Sequence, residues 1–143
     1  MTAGLSRERR IELLAEAPSD ALVALAERCV AERAPSVVIG PEVGMVVLQV
    51  REPVAEERFH LGEVLVTRAE IERHGVRGWS MRMGDDRLAS LAAAVLDTEV
   101  EAAGPLADEV RALCRQVERI AAADAAEEWA ELMPTVVAFE ELD

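Results

Sequence analysis

Between Val37 and Met83 the apolar residues stop recurring every three or four positions and begin to alternate, and this β-periodic stretch lies between two helical ones. A chain built this way segregates its helices from its strands. The sequence therefore predicts an α+β fold: an antiparallel meander of about four strands, residues 37–83, packed by two N-terminal and two long C-terminal helices. At 143 residues it forms one domain, 1–143, with a single core.

The N-terminal helices read clearly. Ser6 is placed to cap the first, with Ile11, Leu14 and Ala15 on its apolar stripe and Pro18 ending it. Ser19 is placed to cap the second, with Leu22, Leu25, Ala26 and Cys29 spaced for core packing and Pro35 closing the region. In the middle, Val43–Val50 is apolar at both parities, as a covered central strand would be. Val37–Ile39 reads as a short strand stopped by Gly40–Pro41, and Arg51–Glu56 as a polar turn. Glu57–Leu61 alternates up to Gly62, a site for a turn or bulge, and Glu63–Ile71 follows. Gly75 turns the chain into Val76–Met83, where Trp79, Met81 and Met83 lie opposite Gly78, Ser80 and Arg82.

Gly84-Asp85-Asp86 breaks the sheet and caps a long helix with the stripe Leu88, Leu91, Ala92, Val95 and Leu96. Gly104-Pro105 separates it from the last helix. There Leu106, Val110, Leu113, Val117 and Ile120 repeat like a heptad, which predicts a seam inside the chain or with a partner. The tail carries Val136, Val137 and Phe139 among acids, is too short to fold alone, and is expected to dock.

Composition excludes several functions. With 15 basic and 28 acidic residues the net charge is −13, which repels nucleic-acid phosphates. No apolar run approaches the roughly 18–20 residues of a membrane span. The first ten residues lead into charged helical sequence rather than a signal peptide, so the expected location is the cytoplasm. Cys29 and Cys114 are far apart and set among apolar positions, as buried inert thiols are. All 15 basic residues are Arg, so a lysine nucleophile and a P-loop are excluded. Charge is uneven: residues 1–50 carry −2, 51–87 carry −1 and 88–143 carry −10. The middle segment, with 7 arginines, is where an anion would bind.

Catalytic signatures are missing: no GxGxxG, GxSxG or HExxH occurs. Neither His60 nor His74 has a second His or a Cys at helical spacing, so no metal is expected. Carboxylate pairs such as Asp85/Asp86 are sequence neighbours and read as caps and solvated surface. What remains is Glu57–Ala69, which gathers Arg58, His60, Glu63, Thr67 and Arg68 around Gly62. Guanidinium groups suit bidentate recognition of phosphate or carboxylate. The same residues also suit cross-strand ion pairs on an exposed face, and chemistry alone favours that plainer reading.

The run Glu57-Arg58-Phe59-x-x-Gly62-Glu63-x-Leu65-x-Thr67-Arg68-Ala69 resembles the signature of the PhnG family, subunits of the carbon–phosphorus lyase system. Gly78-Trp79, Gly84, the helix through Asp97, Arg10–Ala15 and Thr135-x-Val137-x-Phe139 extend the resemblance over most of the chain. It implies a cytoplasmic subunit that assembles with PhnH-, PhnI-, PhnJ- and PhnL-like proteins in phosphonate breakdown. The implied reaction displaces adenine from ATP by a phosphonate such as methylphosphonate, giving ribose 1-methylphosphonate 5-triphosphate for a radical enzyme of the PhnJ type. A PhnI-like partner would be the nucleosidase. This chain would be mainly a scaffold, inactive alone, with no cofactor of its own and ATP as substrate of the assembly. Arg58, His60, Glu63, Thr67 and Arg68 would then be anion-binding or interface residues, and the isolated chain would self-associate through its partner surface. The alternative is an acidic stand-alone binding module unrelated to phosphonates.

Overall fold

A computed structural model describes residues 5–137. Two helices, α1 (Arg7–Glu16) and α2 (Ser19–Val30), precede three strands, β1 (Ser36–Arg51), β2 (Arg58–Arg73) and β3 (Val76–Met83). Helices α3 (Arg87–Glu101) and α4 (Ala107–Leu132) follow, with a 3-10 turn at Met133–Thr135. The fold is α+β, and its antiparallel sheet runs in the order β1-β2-β3.

There are three strands where the sequence suggested about four. Val37–Ile39 does not stop at Gly40–Pro41. It continues into β1 through two register irregularities, between Val37 and Ile39 and between Ile39 and Glu42. Such a step accommodates Pro41 on an edge strand, where its missing N–H costs no ladder bond. Gly62 likewise does not turn the chain: Leu48 faces Gly62 and Gln49 faces His60, so Leu61 is the extra residue of a bulge. The β2–β3 hairpin closes at His74 and Gly75, both at positive φ (53° and 75°), as a two-residue turn requires.

The helix ends follow from side-chain chemistry. The Ser6 hydroxyl accepts from the Arg9 amide at 3.2 Å, and Asp86 accepts from the Ala89 amide at 2.9 Å. Ser19 does not cap α2: it is the first helical residue, and its hydroxyl donates to Asp86 at 2.7 Å, joining the starts of α2 and α3.

Helix α3 is the centre of the molecule. It packs on β2 and β3 and against the other three helices. Rather than showing the expected stripe, it is buried at every position from Ala92 to Val100, while Leu88, the first residue of that stripe, is exposed. Small residues permit this close approach. A Cβ on Gly78 of β3 would lie 2.1 Å from the Ala94 carbonyl oxygen. Strand alternation in β3 is as expected, but Gly78 and Ser80 are the buried side. Trp79 and Met81 are half-buried on the uncovered face of the sheet, and Met83 is exposed there.

Two elements leave this core. In α4 only Ala107, Val110, Cys114 and Val117 are buried; Ile120 is exposed, as is every residue from Arg119 to Leu132. The heptad seam thus serves the core over its first turns and is bare thereafter. Val136 and Val137 are exposed rather than docked, and Phe139 lies outside the described residues. The other projecting element is the β1–β2 hairpin, in which none of residues 44–65 is buried. Val43–Val50 is therefore an exposed edge strand and not a covered central one. No described helix is long and apolar enough to cross a membrane.

Candidate functional site

The arm formed by β1 and β2 starts where α3 ends its cover, at the pair Val43–Thr67. From Thr67 to Arg58 it spans nine residues, roughly 30 Å at the rise of an extended strand. Two bare strands of this length are marginal in water. Their side chains are nonetheless apolar: Met45, Val47 and Leu61 are 54%, 55% and 60% exposed, with Val46, Leu48, Phe59 and Leu65 beside them. An apolar surface this extensive is unusual on a projecting element of a soluble monomer.

The turn at the end of the arm is locally organised. The Glu52 carboxylate accepts from the backbone amides of Val54 at 2.8 Å, of Glu57 at 3.4 Å, and of Ala55. The hydrogen bond from the Val54 amide leads the interactions that hold its pKa below the usual carboxylate range. Arg51 and Arg58 close the ladder directly opposite each other, and Gln49 pairs with His60 two steps on, beyond the pair Val50–Phe59.

The five sequence-picked residues do not form one site. Thr67 is fully buried, and its hydroxyl donates to the Gly84 carbonyl at 2.8 Å, pinning β2 to the end of β3. Arg68 forms a cross-strand ion pair with Glu42, the plainer of its two readings. Glu63 faces Val47 across the arm and is exposed. Only Arg58 and His60 lie together, at the tip, ten residues or roughly 33 Å of strand from Arg68. Neither side chain forms a hydrogen bond or ion pair among the described residues.

A buried ionic network went unnoticed in the sequence. Asp97 accepts from Arg10 and from Arg7 at 2.7 Å each, and from the Trp79 amide at 3.2 Å. Glu99 pairs with Arg73 at 2.6 Å and accepts from the Leu106 amide at 2.8 Å. Arg73 also donates to the Cys29 carbonyl, which ties β2 to α2. The available signal was three consecutive polar residues, Asp97-Thr98-Glu99, within an apolar helix. Both carboxylates are thus held by arginine within the core. Burial pushes both thiols, Cys29 and Cys114, up to about 11, far from a reactive thiolate.

The chain thus presents a closed helical core, a projecting apolar arm and a bare helix. A family model described as phosphonate metabolism protein PhnG matches residues 5–142. No curated protein matches the chain.

Proposed function

The chain belongs to the PhnG family of phosphonate metabolism, and on that premise we propose that it is a non-stand-alone scaffold subunit whose β1–β2 arm and outer α4 dock on partner subunits. The partners in this reading are PhnI-, PhnH-, PhnJ- and PhnL-like proteins in the cytoplasm. The reaction of the assembly is displacement of adenine from ATP by methylphosphonate, yielding ribose 1-methylphosphonate 5-triphosphate. ATP is then a substrate of the assembly, and this chain brings no cofactor of its own.

One observation carries the reading: the arm, residues 44–65, has no buried residue although its side chains are largely apolar. Fully burying one large aliphatic side chain is worth about 1.5–3 kcal/mol, so a cluster of them on a partner supplies ample docking energy. Alone, with this face uncovered, the chain self-associates.

Co-expression with PhnI- and PhnH-like proteins, followed by size-exclusion chromatography, tests the proposal. Stable co-elution is the expected result. Elution alone as a folded monomer overturns it and favours an independent acidic binding module.

A further inference from the structure

We infer that the tip of the arm binds a phosphoryl or phosphonyl oxyanion, held between the guanidinium groups of Arg51 and Arg58 with His60 and Gln49 beside them. The choice of anion class rests on the proposed function; the site itself rests on register. Directly paired residues in an antiparallel ladder project from the same face, and so do residues two apart on one strand. The pairs Arg51–Arg58 and Gln49–His60 therefore share one face, and the intervening pair Val50–Phe59 takes the other. The tip has a basic face and an apolar face.

Like charges directly opposite each other destabilise a sheet. This pair occurs in a chain with 28 acidic and 15 basic residues, where counter-ions are plentiful. Most other arginines have them: Arg7, Arg9, Arg10, Arg28, Arg68, Arg73, Arg77 and Arg111 all reach a carboxylate within 3.1 Å. At the tip, Arg51 has only Glu56 at 3.6 Å, and Arg58 has no partner among the described residues. Glu52, next to Arg51 in sequence, is committed to the backbone amides of the turn, and Glu57, next to Arg58, forms no ion pair with it among the described residues. Two planar guanidinium groups side by side, each with parallel N–H donors, match the oxygens of a tetrahedral dianion. An imidazole and an amide supply further donors on that face. Relative to the sequence reading, Arg51 and Gln49 join the set while Glu63, Thr67 and Arg68 leave it.

The test is titration of the full chain with tripolyphosphate, and separately with methylphosphonate, following the arginine side-chain Nε–H signals by NMR. Saturable shifts at Arg51 and Arg58 are expected. The variant R51A/R58A should lose at least about tenfold in affinity, since it removes both charged hydrogen-bond donors of the site. R115A/R119A, a pair of exposed arginines one turn apart on α4, should bind as the parent does. Tighter binding of tripolyphosphate assigns the site to a nucleotide-type chain; equal binding assigns it to a single phosphonyl group, and both support the site. Absence of saturable shifts, or equal weakening by the α4 variant, overturns it. Co-elution of R51A/R58A with the partner subunits reads out the scaffold role separately.

Discussion

Arg10 on α1 and Asp97 on α3 lie 87 residues apart in sequence, yet Arg10 Nη2 donates to Asp97 Oδ1 at 2.7 Å with both side chains buried. The same Asp97 carboxylate receives Arg7 and the Trp79 amide, so one side chain fixes α1 and β3 to the central helix. Removing one partner of such a buried pair leaves the other charged and uncompensated. Asp97→Ala should therefore lower unfolding stability by about 3–5 kcal/mol, read by urea denaturation. Loss of less than about 1 kcal/mol would mean that the network is not a structural clamp.

Gly78 is a second point of close contact. Adding a methyl group there drives it into the backbone carbonyl of Ala94, which cannot rotate away as a side-chain end would. Gly78→Ala should destabilise by about 1–3 kcal/mol through displacement of β3 from α3. The same substitution at Gly44, where a Cβ meets nothing, should leave the helical core unaffected. Parallel denaturation curves of the two variants check this contrast.

The two cysteines should behave as core residues. Burial raises both thiols to about 11, so at neutral pH the native protein should react negligibly with a thiol reagent such as Ellman's. Two thiols per chain should react on unfolding in denaturant. Rapid native labelling at either position would show that the helical core opens locally.

Asp86 predicts a pH dependence. The hydrogen bond from the Ser19 hydroxyl, followed by that from the Ala89 amide, holds its pKa below the ordinary value of 3.8. A carboxylate depressed in the folded state adds stability above its unfolded value and loses it as pH falls through the folded one. Asp86→Ala should therefore lower the Tm at neutral pH, and the gap to the parent should begin to narrow as the pH falls below 3.8 and close below the depressed folded value. A gap that persists unchanged in acid would assign the effect to packing rather than charge.

Local signals were legible in the sequence and long-range ones were not. Ser6, Asp86 and Gly75 act within a few residues of themselves, and each cap or turn forms as its chemistry demands. Ser19 failed as a cap because Asp86, 67 residues away, takes its hydroxyl. Val43–Val50 is apolar at both parities. That pattern identifies a strand covered on two sides without saying whether the cover comes from this chain or another. Arg51 was hidden because it read as a turn residue, and only the register places it opposite Arg58. Thr67 and Arg68 looked like ligand-binding neighbours, but adjacent strand residues point to opposite faces, one into the core and one toward Glu42.

The most direct test of the scaffold role is to change the arm and leave the core intact. Val47→Glu combined with Leu61→Glu places charge on two exposed apolar positions that no other part of the described chain covers. The double variant should keep the parent's helical circular dichroism and Tm. It should also lose self-association, and bind co-expressed PhnI- and PhnH-like subunits more than about tenfold more weakly, as expected for central apolar contacts. Undiminished co-elution of the folded variant would contradict the account, because partners would then bind without the arm.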